Sequence, residues 1–313
     1  MDMKTNTAPS LGDIGLLTAS FLRACRAENL SPNTLKLYGG ACELLAAFLH
    51  ERGMPTDVAS IRREHIETFM EELLATRAPA TASNRYRALK RFFGFLVEEG
   101  ELTSNPMERM RAPRVPEAAI PVLTDDQLRA LLKACAGKAF EDKRDTAMLR
   151  CFIDTGARRA EILGLRWSED PEESDVDLDH GYLQVVGKGR RPRVLAIGAK
   201  TVRALDSYTR ARRLHTYAPS PELWLGRRGP LGTTAIRDLL NRRAREAGLG
   251  IHIHAHMFRH TVAHHWLADG GNESDLMRLT GWKSREMLDR YGASAAVERA
   301  HDAHRTLGLG DRI

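Results

Sequence analysis

The sequence predicts a mainly α protein with a small antiparallel β-sheet, divided into two domains. Three observations predict this. Apolar residues recur at three- and four-residue steps through the first hundred positions, then stop at Gly100. Between Asn105 and Pro121 stand Pro106, Pro113, Pro116 and Pro121, too dense for a continuing helix. Only residues 175–197 change to short alternating or clustered apolar runs, broken by Gly181 and the Gly187-Lys188-Gly189 turn. A chain of 313 residues is long enough for two domains.

Each element has a local reason. Residues 1–10 are polar and read as a loose tail. A helical pattern runs from Ile14 to Glu28. Ser31 before Pro32 is a strong helix start, an N-cap followed by proline at the first helical position. Behind it Leu35, Tyr38, Cys42, Leu45 and Leu49 form one stripe, and Gly53 and Pro55 end the helix. Ile61, Ile66, Phe69 and Leu73 mark a third helix. Residues 81–99 make a fourth, with Tyr86, Leu89, Phe92, Phe93 and Leu96 facing inward. Residues 11–104 are therefore a helical domain and 105–121 a linker, whose Arg109, Arg111 and Arg114 suit either solvent or a phosphate backbone. Thr124-Asp125-Asp126-Gln127 is a capping box that opens a second domain over 122–313. Helices are expected around 125–136, 143–154 and 158–165, then the sheet with its tight turn at Lys188, then helices from Lys200 broken near Pro219, Pro221 and Gly229-Pro230.

Composition narrows the function classes. Hydrophobic residues make 42% and charged residues 28% of the chain, as in a folded soluble protein. The 47 Lys and Arg exceed the 41 Asp and Glu, a net +6 that favours a polyanionic partner weakly. The excess falls mostly after residue 115, and Arg, the better bidentate phosphate ligand, dominates. Cys25, Cys42, Cys135 and Cys151 lie far apart in apolar helical patterns and read as buried thiols in a reducing compartment. No leader and no membrane-length apolar run is seen, so a cytoplasmic protein is expected.

Several residues carry candidate chemistry. Arg158 and Glu161, three apart after the Thr155-Gly156 helix end, share a face; such spacing alone also describes a surface ion pair. Arg159 points ~100° away and is placed outside the site. Lys188 sits at a strand reversal, where a lysine is ordinarily just solvated. His252, His254, His256, His260, His264 and His265 crowd one short segment and invite a metal reading. Against it, no cysteine is near, there is no His-Glu-x-x-His, and Arg259 would bring a cation into the shell. His256 and Arg259, three apart near a helix start, more naturally offer an imidazole and a guanidinium to one phosphate. Trp282, in Gly281-Trp282-Lys283-Ser284, is a core residue by default. Its indole is a donor only, so it can bond a phosphate oxygen but not move protons. Tyr291 follows; an unassisted phenol, with a pKa near ~10, is a poor nucleophile.

In order and context, Arg158, Lys188, His256, Arg259, Trp282 and Tyr291 resemble the catalytic set of the tyrosine recombinases, the phage-integrase and Xer family of site-specific DNA recombinases. The resemblance covers about residues 12 to 308. It implies a clamp of a helical core-binding domain and an α/β catalytic domain around double-stranded DNA. It implies further that Arg158 and Arg259 hold the scissile phosphate, with Glu161 orienting Arg158 from behind. Lys188 is then the general acid for the leaving 5′ oxygen, and His256 assists proton transfer from Tyr291, the nucleophile. At the Trp282 position the family commonly has histidine, tryptophan in some members. No cofactor and no metal is implied, because the guanidiniums supply the charge a divalent ion would.

Three rivals remain. A type IB topoisomerase uses the same set without strand exchange. A non-catalytic DNA-binding accessory protein would have a dead site, and a metallohydrolase would use the histidine run. Ser294 can cap a last helix whose Val297, Ala300, Ala303 and Leu307 leave a small apolar stripe. Such a helix must dock, either on its own domain or, as in similar recombinases, on a neighbouring protomer within a homo-tetramer on paired recombination sites. No membrane partner is expected.

Overall fold

The computed structural model describes residues 12–116, 121–187, 192–288, 300–301, 304–308 and 310. The chain forms two compact units, Met1–Ala118 and Ala119–Ile313.

The first unit contains α1 (Ile14–Ala27), α2 (Pro32–Glu51), α3 (Arg63–Thr76) and α4 (Pro79–Glu98). Asp13 caps α1 by accepting from the Gly15 N–H, and Ser31 caps α2 by accepting from the Thr34 N–H. Pro79 occupies the first turn of α4, where no N–H is needed, so this helix starts two residues before the expected 81. Phe21 is the hub of the core: its ring lies 5.6 Å from Tyr38, 5.5 Å from Phe92 and 5.4 Å from Phe95. Part of the proline-rich stretch packs here as well. Met107 and Met110 are buried in this core, and the Tyr86 hydroxyl donates to the Met110 carbonyl at 2.5 Å.

In the second unit α5 (Asp125–Ala134) and α6 (Phe140–Thr155) lead to the short α7 (Arg159–Leu163). The Thr124–Gln127 capping box forms as its sequence implies. Strands β1 (Val176–Asp177), β2 (Tyr182–Val186) and β3 (Pro192–Ala196) make one antiparallel sheet in that order, with Val185 opposite Arg193. Then come α8 (Ala199–Arg212), the hairpin β4 (Leu225–Gly226) and β5 (Gly229–Pro230), and α9 (Thr233–Glu246), α10 (Ala255–Ala268) and α11 (Glu273–Thr280).

Buried polar groups in this unit lock its elements together. Asp145, fully buried, accepts from Arg144, Arg242 and Arg243, while Arg243 also donates to Asp142, Glu246 and the Ala134 carbonyl. These bonds tie α9 to α5 and α6. Arg212 donates to the carbonyls of Ala218, Ser220, Glu222 and Leu223 and so fixes the segment before β4. From that segment the indole of Trp224 donates to the Ile162 carbonyl at 2.6 Å, anchoring α7 from below. All four cysteines are buried and unpaired, and burial raises their thiol pKa values, those of Cys42 and Cys135 to about 12. No helix among the described residues is long and apolar enough to cross a membrane.

Candidate active site

The site begins where α6 ends. Gly156 closes that helix in the left-handed region, at φ +56°. A Cβ there would lie 3.2 Å from the Val262 Cβ and 3.4 Å from the Arg259 Cα, so glycine permits both the turn and the close approach of α10. The turn delivers Arg158, which is the N-cap of α7 and not its first helical residue. Its backbone N–H donates to Glu161 Oε2 at 2.7 Å, and its Nη1 donates to Oε1 at 2.9 Å. Both bonds run from Arg158 to the one carboxylate, so the pair meets more tightly than a shared helix face requires. Glu161 is buried, with a side chain 2% exposed, whereas that of Arg158 is 30% exposed and can reach a ligand.

Arg259, one turn into α10, is 1% exposed. Its Nη1 donates to the Gly156 carbonyl at 3.0 Å and its Nη2 to the Thr280 carbonyl at 2.6 Å. The guanidinium also lies over the Trp282 ring, 5.1 Å from its centroid. Trp282 follows the α11 C-cap Gly281 (φ +67°) and sits outside the helix, buried with Ala263, Leu267, Leu276 and Leu288.

His256 is the second residue of α10 and remains solvent-accessible. Its pKa is lowered from the ordinary histidine value, first by desolvation, then by the charges of Arg259, His254, Arg158 and Arg159. Arg158, Glu161, Arg259 and Trp282 thus form one connected group, with His256 within its field. Lys188 and Tyr291 lie outside the described residues, as do Ser294, Val297 and Ala303 of the terminal stripe. Leu307 is 52% exposed. Of the other histidines, His254 is the α10 N-cap residue and His260 is buried within that helix. Among the described residues no group of His, Cys, Asp and Glu side chains is arranged to hold a metal ion.

Arg193 on β3 belongs to the same group and is not among the sequence candidates. Its Nη2 donates to Glu161 Oε2 at 2.8 Å and its Nη1 to the Thr280 carbonyl at 2.5 Å. The signal for it was strand alternation. Leu183, Val185 and Leu195 point inward, and period two puts Arg193 on that face. Two guanidiniums, Arg158 and Arg193, therefore share one buried carboxylate, and Arg259 joins them through the Thr280 carbonyl, an arrangement that favours an anion in front of Arg158.

Comparison with known proteins places the chain in a family. Residues 121–298 match the phage integrase family, and residues 19–100 match the phage integrase N-terminal SAM-like domain. The tyrosine recombinase XerC of Chromohalobacter salexigens is 36% identical over 284 residues, covering 87% of this chain and 91% of that protein. XerC of Oceanobacillus iheyensis is 28% identical over 270 residues, 84% and 86% of the two chains. In fold, the chain resembles XerH site-specific recombinase bound to palindromic difH substrate in a post-cleavage complex. That likeness has a TM-score of 0.72 at 16% identity and covers 92% of this chain and 84% of that one. A lambda integrase tetramer bound to a Holliday junction aligns with a TM-score of 0.66 at 18% identity, over 86% and 76% of the chains. The connected arginines, the match across the catalytic unit and the XerC likeness over most of the length make this chain a member of the phage integrase family of tyrosine recombinases.

Proposed function

We propose that this protein is a site-specific DNA recombinase that cleaves and rejoins duplex DNA through a 3′-phosphotyrosine, without metal or ATP. The observation that carries the reading is the joining of Arg158 and Arg259, a hundred residues apart in sequence, through Gly156, Glu161 and Thr280. Such a pair is suited to a phosphate whose negative charge grows in the transition state.

In this reading the Tyr291 oxygen attacks the scissile phosphorus while His256, neutral at pH 7, takes up the phenolic proton. Arg158 faces the non-bridging oxygens and Arg259 holds the floor of the site, with the indole N–H of Trp282 as a further donor. The phosphorus–O5′ bond breaks and the Lys188 ammonium protonates the departing oxygen. The tyrosyl phosphodiester conserves the bond energy, so attack by a 5′ hydroxyl rejoins the strand and releases Tyr291. The lambda integrase tetramer bound to a Holliday junction supports four copies acting together on paired sites. The XerC likeness supports a resolution role in the cytoplasm, whereas Trp282 in its Gly-Trp-Lys-Ser setting suits the integrase of a mobile element. Genome-wide mapping of covalent adducts separates a single chromosomal site from element ends.

The direct test is Tyr291→Phe with a nicked suicide duplex. The variant should bind the duplex as the wild type does and form no covalent adduct. An adduct persisting in the variant, or none forming in the wild type on its own site, rejects the reading.

A further inference from the structure

Strand β3 holds an arginine where its neighbours hold apolar side chains. Arg193 shares the inward face with Leu195 and stands opposite the buried Val185, yet its own side chain is only 15% exposed. A desolvated guanidinium at such a position is costly unless its donors are matched. Two of its nitrogens are matched, by Glu161 Oε2 and by the Thr280 carbonyl. The third is not: Nε is buried and finds no acceptor. Burial pulls its pKa down while Glu161 opposes that change. A buried pair such as Arg193 and Glu161 is weak ground for stability, since apolar side chains replacing both would fill the place at similar or less cost.

The surroundings are shaped to admit this guanidinium. A Cβ on Gly281 would lie 2.2 Å from Arg193 Nη1, so any other residue at 281 displaces it. Its two acceptors are also the groups that hold the other arginines: Glu161 fixes Arg158, and the Thr280 carbonyl fixes Arg259. Residues 188–191, which include Lys188, connect β2 to β3, and Arg193 grips β3 at its second residue.

We propose that Arg193 is a positioning residue: it spans Glu161 and the Thr280 carbonyl, setting the spacing of Arg158 and Arg259 and tethering the start of β3 to both. The proposal rests on the recombinase reading above. It concerns the rate of the chemical step, not the affinity for DNA.

The test uses the full chain carrying Arg193→Met or Arg193→Lys, with single-turnover cleavage of the suicide duplex, duplex affinity and thermal melting measured together. Methionine removes both bonds and leaves Glu161 with Arg158 alone, so the variant should melt lower than the wild type and the rate is measured well below that transition. Its cleavage rate constant should fall on the order of 100-fold, as for an ångström-scale misplacement of catalytic groups. Affinity and the final yield of adduct should be unchanged. Lysine reaches one acceptor but not both, and should recover part of the rate. Adding Glu161→Gln to Arg193→Met should slow cleavage less than Glu161→Gln does alone, because both changes act through one carboxylate. A lower adduct yield at the wild-type rate constant marks a purely structural role and overturns the proposal. So does wild-type behaviour of both variants. If the methionine variant does not fold, the lysine variant decides: a slower rate constant at full yield supports positioning, an unchanged one rejects it. Absence of adduct in the wild type would instead reject the recombinase reading.

Discussion

Arg193 and Arg259 donate to the same atom, the Thr280 carbonyl oxygen, at 2.5 and 2.6 Å. Thr280 is the last residue of α11, and the Gly281 N–H turns back to Met277 and Arg278. Terminal carbonyls of a helix lack intrahelical partners and carry the negative end of its dipole. Two cations can therefore converge on one oxygen without an added carboxylate. The same end of α11 releases the chain into Trp282, under the Arg259 guanidinium. One backbone atom thus ties strand β3, the second arginine and the indole.

Glu161 is the only carboxylate bonded to Arg158 and Arg193 among the described residues. Glu161→Gln leaves two guanidiniums facing each other across a neutral amide. Breaking a buried pair costs roughly 3–5 kcal/mol, and the partial exposure of Arg158 places this case at about 3 kcal/mol. Urea unfolding of the catalytic unit within the full chain should show that loss, together with slower cleavage. A stability change below about 1 kcal/mol would mean that solvent replaces Glu161 and that it does not hold Arg158.

The His256 shift fixes the sign of a pH effect. Desolvation and then the neighbouring Arg259 disfavour its protonated form, so the folded pKa lies below the ordinary histidine value. At neutral pH the ring is neutral and able to accept the tyrosine proton. The cleavage rate should be flat around pH 7 and fall on acidification, with a midpoint below about 6.5. His256→Gln should be slow at every pH and lack this acid limb. An unchanged limb in that variant would assign the proton acceptor elsewhere.

Much of this was legible because local chemistry and tertiary need agree. Ser31-Pro32 and the Thr124–Gln127 box cap helices wherever they occur, and the stripes behind them are the buried faces. The β4–β5 hairpin was not legible: two residues per strand give no alternation to detect. Arg158 reads as a helical residue from its spacing to Glu161, yet it is the N-cap of α7, where its backbone and side-chain N–H groups both donate to the Glu161 carboxylate. Arg193 was hidden for another reason. A polar side chain at an inward strand position reads as a break until its partner Glu161 is known to lie beneath it. The Thr280 carbonyl has no sequence signature, since every residue has a carbonyl and only the fold decides which are left over.

Trp282 separates packing from hydrogen bonding. Its ring is buried, 6% exposed, among Leu267, Leu276 and Leu288. Trp282→Ala should cost roughly 3–5 kcal/mol and lose activity through disorder of the segment that leads to Tyr291. Trp282→Phe keeps an aromatic face under Arg259 but no donor. Hydrogen bonds to charged groups are worth about 1.5–3 kcal/mol, so the phenylalanine variant should stay folded and cleave roughly 10- to 100-fold more slowly. Trp282→His, which restores a donor, should regain part of the rate. Equal rates for tryptophan and phenylalanine would leave the indole a packing role alone.

Lys188 gives the sharpest chemical test, because its assigned role concerns one bond. A general acid matters in proportion to the basicity of the leaving group it protonates. The 5′ alkoxide is strongly basic, whereas a 5′ thiolate departs without a proton. Lys188→Ala should lower cleavage of ordinary DNA by roughly 10²- to 10⁴-fold. With sulfur in place of the bridging 5′ oxygen, the same variant should cleave close to the wild-type rate. Arg190 and Arg191 cannot substitute, because a guanidinium does not release a proton usefully at neutral pH. Both reactions are run with a chelator present, so a metal acting on the leaving oxygen would show as a loss in the wild type. If Lys188→Ala is equally defective on the oxygen and sulfur substrates, the lysine binds the phosphate and the proton comes from another group.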